Sequence, residues 1–527
     1  MDNLRETLAK NRTRLVMLAI LALLFLMAIQ GMDTRDWVIT LLRGLSVGAV
    51  TFLVAAGLSI ILGLMDVLNL AHGTMFMIGA FLGWSVYVRP DTFVDGLAPV
   101  ALLAAGFMLM PLWRRLLAGR RLPPGVARIW PWLALPVGAG LAAVTLARAP
   151  LSVWDPEVYN DSPIVWTQAV ETGQLADSIT PAAVESGSPL LIFGGLLLGS
   201  MLLALSLSGM GRRRGFAERS GPFPWRNVAF FLLIVGLAVA AYLFNDTLTD
   251  FLLTIDSAWR FLLAAVVATA AGAVLGGMME ATLIRPLYER PIYQLMLTFG
   301  LAFIGTEVVR AIWGRTGFTM PKPSLFAQTG GDCPATSLAG WLDNHCATLA
   351  ITIQGETARI RTYNEIFIII VGIVVLLVVW LLLQRSRLGM IIRAGVQDSE
   401  MVEALGINVR RVFTLVFALG VGLAALGGVL AGPAMGLSDG MGTNLLLSAL
   451  IALAIGGLTS YPGAAAGALL VGLMQQFIIR YGQIGINLPF LAEPFKPSPP
   501  LVPASTVLLM VIILLVLPQG LLGREEA

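Results

Sequence analysis

Few residues in this chain could do chemistry, and most of them lie between long apolar runs. His72 stands in Asn69-Leu70-Ala71-His72-Gly73, where a carboxamide and an imidazole three residues apart interrupt two hydrophobic stretches. Polar breaks of that kind persist in a membrane only where they are buried in protein or line a watery cavity. In many transporters they build the substrate path. The same two side chains could instead cap helix ends and stitch neighbouring spans. A second break, Gly456-Gly457 to Pro462-Gly463, ends one apolar run and starts the next at once. Glu307 and Arg310 lie one helical turn apart inside an apolar run. Charges there are expensive, about 2.5–3.5 kcal/mol each, unless they pair or face water. Asn69, His72, Gly73, Glu307, Arg310, Gly456 and Gly457 are the candidate substrate pathway; mutual pairing at i,i+3 is the competing role for Glu307 and Arg310.

A different signal comes from Gln397-Asp398-Ser399-Glu400-Met401-Val402-Glu403-Ala404-Leu405-Gly406. Met401, Val402 and Leu405 recur at helical spacing, Glu400 and Glu403 fall on other faces, and Gly406 suits a helix stop. That predicts a short amphipathic helix, either a knob for a cytoplasmic partner or a loop packed on the membrane face. Cys333 and Cys346 share a long polar stretch, 314–363. With His345 they are one ligand short of a closed zinc site, and two cysteines facing an oxidising compartment favour a disulfide. No metal site is expected. His72 and His345 are the only histidines, so no metal cluster or Ser/His/Asp set can form, and the chain reads as a non-enzyme. Lys10, Lys322 and Lys496 are the only lysines; none sits in a phosphate-cradling Gly-x-x-x-x-Gly-Lys loop, so no cofactor is expected in this chain.

The elements that hold these residues follow from composition. Of 527 residues, 57% are hydrophobic and 12% charged, about half the charge of a soluble chain. The fold class expected is all-α, a polytopic transmembrane bundle of about fourteen spans (range 12–14) with broken or re-entrant segments. The spans fall near 15–30, 38–62, 74–88, 98–113, 130–147, 189–210, 228–245, 258–281, 295–313, 364–384, 412–434, 444–460, 462–479 and 503–519. Arg5, Lys10, Arg12 and Arg14 precede the first run, and no small-residue cleavage site follows it, so it reads as an uncleaved anchor over residues 1–37. With both termini in the cytoplasm, the Lys and Arg residues concentrate inside, notably Arg114, Arg115, Arg120, Arg121 and Arg128, and Arg212, Arg213, Arg214, Arg219 and Arg226. The net charge is only +3; the basic residues read as topological anchors against membrane lipid, and nucleic-acid binding is excluded.

At these motifs the sequence resembles the branched-chain amino-acid ABC transporter permeases of the LivH type. Asn69-Leu70-Ala71-His72-Gly73 is similar to that family's Asn-Phe-Ala-His-Gly, with Leu70 in place of the aromatic. Arg285-Pro286-Leu287 with Leu297-Thr298-Phe299-Gly300-Leu301, the block Arg385 to Arg411, Gly456-Gly457 to Pro462-Gly463, and Pro518-Gln519-Gly520-Leu521-Leu522-Gly523-Arg524 resemble its later landmarks. The resemblance covers roughly 38–88 and 258–524; 38–88 would be the first part of the permease core and 258–527 the second part, with coupling loop 385–411. Residues 89–257 look like an inserted block of about four spans, with an acidic outside segment 149–188 that could touch a binding protein or simply be solvated. What the resemblance implies is an inner-membrane permease subunit working by alternating access. Residues Gln397 to Gly406 would dock on separate ABC ATPase subunits, which bind the ATP and Mg. A second related permease chain and a periplasmic solute-binding protein would complete the importer. The substrate would be a branched-chain or related amino acid; urea or short amides are the alternative within the class, and an ion-coupled secondary transporter is the alternative outside it.

Overall fold

The computed structural model describes residues 32–118, 123–149, 188–211, 223–315, 317–353, 355–397, 399–486 and 493–523. The expected first span at 15–30 and the acidic segment between 150 and 187 lie outside the described residues. Two compact units form, one combining Met1–Trp84 with Asp256–Ala527, the other contiguous, Ser85–Ile255.

The larger unit begins with α1, Thr34–Met65, 32 residues long. It stops where Asp66 enters the left-handed region (φ 52°, ψ 35°) and its N–H bonds the Leu62 carbonyl. After a six-residue break, α2 runs from His72 to Val88. The second unit holds α3 (Pro90–Met108), α4 (Met110–Ala118), α5 (Pro124–Ala147), α6 (Pro189–Gly211), α7 (Trp225–Leu243) and α8 (Asn245–Thr254). Its core gathers Ala98, Leu102, Ile192, Leu196 and Ala238. Within it, Arg89 and Asp91 form a buried ion pair at 2.7 Å, and Asn245 donates to Asp95.

The chain returns to the larger unit with α9, Ser257–Met279, whose last turns relax into a π turn at Glu280–Ile284 and a 3-10 turn at Arg285–Leu287. Next come α10 (Pro291–Trp313), the small α11 (Leu338–Asn344), and the antiparallel strands β1 (Thr348–Ile353) and β2 (Glu356–Arg361). Beyond a π turn at Thr362–Phe367 lie α12 (Ile368–Arg385), α13 (Arg387–Gln397) and α14 (Ser399–Ala404). The last four are α15 (Val409–Met435), α16 (Met441–Gly456), α17 (Tyr461–Ile484) and α18 (Leu501–Val516).

Helices in lipid gain no hydrophobic drive from touching one another, so close packing of small residues holds them together. Accordingly α15 is largely buried: its backbone meets α1 at Gly420 and Gly57, and α2 at Gly428 and Phe76, too closely for any added side chain. In contrast, α10 and α12 bury little of their apolar surface inside the chain, as expected of helices whose neighbours are lipid tails.

The fold class matches the expectation: a helical polytopic bundle, with one short hairpin as its sheet. Ten of the fourteen expected segments correspond to helices long and apolar enough to cross a bilayer. Segments 74–88, 444–460 and 503–519 are helices of 17, 16 and 16 residues, at or just under the shortest spanning length. The hairpin occupies what the hydropathy pattern gives only as a long polar loop. Its signal is present in the alternation of Thr348-Leu349-Ala350-Ile351-Thr352-Ile353 and the turn at Gly355, φ 85°.

Candidate functional site

At the first break, Asn69 Oδ1 accepts from the Ala71 N–H at 3.1 Å, an Asx turn that starts α2. His72, the first residue of α2, is fully buried against Gly57 of α1; a Cβ at Gly57 would sit 2.7 Å from its Nε2. Neither ring nitrogen makes a hydrogen bond of good geometry, although the Val54 backbone of α1 lies within reach of the ring, and Asn69 Nδ2 makes none. Val67 and Ala71, which flank Asn69 in the chain, belong to an apolar cluster with Ile61, Met279, Phe417 and Val421. Gly73 follows at a crossing, its added Cβ only 2.3 Å from the Gly442 carbonyl of α16. Asn69 thus serves the backbone, while His72 is a fully buried polar side chain set against the backbone of α1.

Glu307 and Arg310 pair on α10 at 2.6 Å, and Arg310 also holds Asp439 at 2.8 Å. The side chain of Glu307 is 61% exposed. No hydrogen bond or ion pair links this triad to Asn69 or His72. Asp439, in the turn between α15 and α16, is the partner that sequence spacing could not supply.

The second break turns out to be a docking point. Gly456 ends α16, and Gly457 turns away at φ 109°. An added Cβ on Gly456 would sit 1.9 Å from the Gly463 carbonyl, so α16 and α17 cross backbone on backbone. The carbonyls left open at the end of α16 are then met from a distant part of the chain. Leu521 N–H bonds Ile455 O at 2.8 Å and Leu522 N–H bonds Gly456 O at 3.0 Å. Gly520, at φ 76°, lies against Gly457. Two motifs read separately from the sequence are thus two halves of one joint.

The stretch from Arg385 to Arg411 forms a compact turn of helices. Ser386 caps α13, its Oγ accepting from Gly389 N–H at 2.9 Å. Asp398 lies outside the described residues. Past it, α14 buries Val402 and exposes Met401, Glu403 and Leu405. Gly406 adopts φ 83°; its N–H bonds Glu403 O, and Ile407 N–H reaches back to Val402 O, the Schellman pattern that closes a helix. Asn408 then caps α15, accepting from Arg411 N–H.

Directly behind this turn sits a polar clasp that sequence reasoning missed. Glu280 is fully buried in the π turn after α9. Its carboxylate accepts from Arg285 Nε (3.1 Å) and Nη2 (2.7 Å), from Tyr288 OH (2.6 Å) and from Thr414 Oγ1 of α15 (2.6 Å). Burial first, and then the Glu280 hydrogen bond, push the Tyr288 phenol well above its ordinary value, so it stays a donor throughout the physiological range. The readable signal was a carboxylate at the very end of an apolar run with Arg285 five residues on.

At the opposite end of α12, the loop before the hairpin is tied down by the Cys333–Cys346 disulfide. Trp341 donates to the Cys346 carbonyl, and Phe326 packs among Trp341, Tyr363 and Phe367. His345 is the left-handed cap of α11, and among the described residues no group of side chains could hold a metal ion.

Residues 227–517 match the family described as branched-chain amino acid transport system, permease component. That is more than half of the chain. The chain belongs to this family. Among curated proteins, the permease is similar to the high-affinity branched-chain amino acid transport system permease protein LivH of Escherichia coli K12, 27% identical over 275 residues, 52% of this chain and 78% of that protein. It is also similar to BraD of Pseudomonas aeruginosa, a protein of the same description, at 32% over 178 residues, 33% of this chain and 53% of BraD. A more distant likeness is to the fructose import permease protein FruF of Bifidobacterium longum, 28% over 121 residues, 21% of this chain and 34% of FruF. No solved structure matches the chain significantly. The permease is accordingly a multi-pass membrane protein of a transport system.

Proposed function

We propose that the permease is the membrane-spanning subunit of a bacterial ABC importer that takes up branched-chain or closely related amino acids by alternating access. Separate ATPase subunits bind ATP and Mg and grip the cytoplasmic turn from Gln397 to Gly406. A second related permease chain completes the pore, and a periplasmic solute-binding protein delivers the substrate. Both termini lie in the cytoplasm, and residues 89–257 are an insertion into the family core.

The observation that supports this reading best is the geometry of α14. Its outer face carries Met401 and Leu405, 62% and 75% exposed, beside Glu403, on a helix fixed at its end by Gly406. Two large apolar groups held out on a closed turn suit a partner's groove. Behind them, Asn408 starts α15, whose Thr414 joins the Glu280 clasp. A push on α14 is therefore transmitted to α15 and α9. Motion of α15 would disturb its close contacts with α1 and α2, where His72 and Gly57 meet. Asn69, His72, Gly73, Gly456 and Gly457 serve in this scheme as the packed hinge region of the pathway, and the Glu307–Arg310–Asp439 triad as a latch between α10 and the turn before α16.

The test combines recovery and uptake. Tagged permease extracted from native membranes should bring down an ABC-type ATPase and a second permease. Glu403→Arg with Leu405→Asp should abolish uptake while the protein stays in the membrane. Normal uptake by that double variant would sink the assignment of α14; recovery of the chain alone, with uptake driven by a proton gradient instead of ATP, would replace the importer with a secondary transporter.

A further inference from the structure

Inside the larger unit, a cleft of about 660 Å³ opens among α1, α12, α15, α16, α17 and α18. Its charged lining consists of Arg43, Arg361 and Glu365, two positive groups against one negative, so one positive charge is left over. Glu365 is fully buried and spends both oxygens on holding the arginines: Oε1 accepts from Arg43 Nε at 2.9 Å and Arg361 Nε at 3.2 Å, and Oε2 accepts from the Arg361 N–H at 2.8 Å. Only the Nε atoms are used. The Nη groups of both guanidiniums make no hydrogen bond to described residues, and the two side chains are 41% and 43% exposed. Fixed guanidinium forks with free Nη donors are matched to a carboxylate.

Beside them lies Asn364, 8% exposed, with Oδ1 buried and without a hydrogen-bond partner. An orphan acceptor calls for a donor, and a half-turn of the amide would exchange the shielded Oδ1 for Nδ2 and offer the acceptor to the cleft. Ser46 fixes its backbone by donating to the Asn364 carbonyl. The rest of the lining mixes apolar side chains, among them Val47, Val50 and Leu445, with the polar Asn444, Ser448 and Gln475. The cleft also sits at the β2 end of α12, whereas α13 and α14 sit at the other, so it opens away from the turn assigned to the ATPase.

We propose that this cleft binds the backbone of an α-amino acid carrying an aliphatic side chain, with Arg43 and Arg361 taking the carboxylate and Asn364, its amide turned over so that Oδ1 faces the cleft, taking the ammonium. A branched aliphatic group then lies on the Val47, Val50 and Leu445 wall. Glu365 is a positioning residue: it holds the forks and touches no solute. The identity of the occupant rests on the reading above, but the chemistry of the site does not.

The experiment uses the full chain in lipid nanodiscs with Ser448→Cys, on the cleft wall, as a reporter. Both native cysteines are bonded to each other, so the new thiol is the one target for a methanethiosulfonate reagent. Protection of that thiol is measured with L-leucine, with 4-methylpentanoate, which has the acid alone, and with 3-methylbutylamine, which has the amine alone. Leucine should protect best, the acid less, the amine not at all. Arg361→Gln should weaken protection by leucine and by the acid about tenfold or more. Asn364→Ala should weaken protection by leucine and leave that of the acid unchanged. If Arg361→Gln does not elute as a single species, Arg43→Lys keeps the charge beside Glu365 and carries the same test. Equal protection by amine and acid, protection unaffected in the arginine variants, or no protection by any probe would overturn the proposal. Uptake plays no part in this readout, so failure of the importer reading and failure of the cleft are separate results.

Discussion

Removing the Glu280 carboxylate should loosen the joint between α9 and α15 by a predictable amount. In Glu280→Ala, Tyr288 loses its acceptor, while Arg285 and Thr414 are left with each other and the Arg410 carbonyl. Breaking a buried pair by deleting one partner costs about 3–5 kcal/mol. Arg285 is 32% exposed and can turn its donors to water, so the lower end, about 3 kcal/mol, is the figure to expect. For a chain of this size that is a fall in midpoint temperature of about 3 °C. Glu280→Gln keeps the shape but drops the charge, and should fall about half as far. Thr414→Val removes a hydroxyl that accepts from Arg285 Nη2 and donates to Glu280, two hydrogen bonds worth about 1 kcal/mol each, and should fall by about 2 °C. The assay is survival of the monodisperse peak on size exclusion after heating the detergent-solubilised protein through a series of temperatures. A Glu280→Ala chain melting within about 1 °C of the unaltered one, or a Thr414→Val chain as damaged as Glu280→Ala, would refute the claim that the carboxylate organises this joint.

Other substitutions test other contacts. Gly456→Ala should destabilise by about 1–3 kcal/mol because the new methyl meets the Gly463 carbonyl. Gly96→Ala, where nothing lies within 4 Å, should instead stabilise by about 1 kcal/mol; equal melting of the two variants would discredit the helix crossing. Leu521→Pro removes the N–H that meets Ile455 O and should cost about 1–3 kcal/mol, read from the same heating series. Cys333→Ser opens a loop closed over a separation of 13 residues. It should cost about 3 kcal/mol of local stability and make the 314–363 region visibly more sensitive to limited proteolysis, whereas an unchanged digestion pattern would mean the loop is held by its aromatic packing alone.

What was legible in the sequence was what depends on short range. Apolar runs marked the spanning helices because the bilayer demands continuous hydrophobicity. The break at Asp66–Ala71 was legible from polar residues between such runs, and the end of α14 from one glycine. Glu307 and Arg310 were legible as a pair for the same reason, since i,i+3 geometry is local. What stayed hidden depended on contacts far apart in the chain. Thr414 lies 134 residues from Glu280, and Asp439 lies 129 from Arg310. Nothing in the local pattern around Glu365 says that Arg43, 322 residues away, will share its carboxylate. Hydropathy also passed over the hairpin, because half-polar alternating strands average out in a window wide enough to find a span.

The joint between Gly456 and Leu522 sets a schedule for synthesis. The end of α16 leaves the ribosome with two carbonyls open, and the groups that satisfy them are encoded about 65 residues later, after α17 and α18. At roughly 5–20 residues per second, the unfinished end waits several seconds, and a nascent chain that stalls before Leu521 carries an unsealed helix inside the bilayer. The fold at this point closes only once Leu521 and Leu522 have been made, which gives quality-control proteases a structural mark by which to tell a chain carried past Leu522 from one interrupted before it.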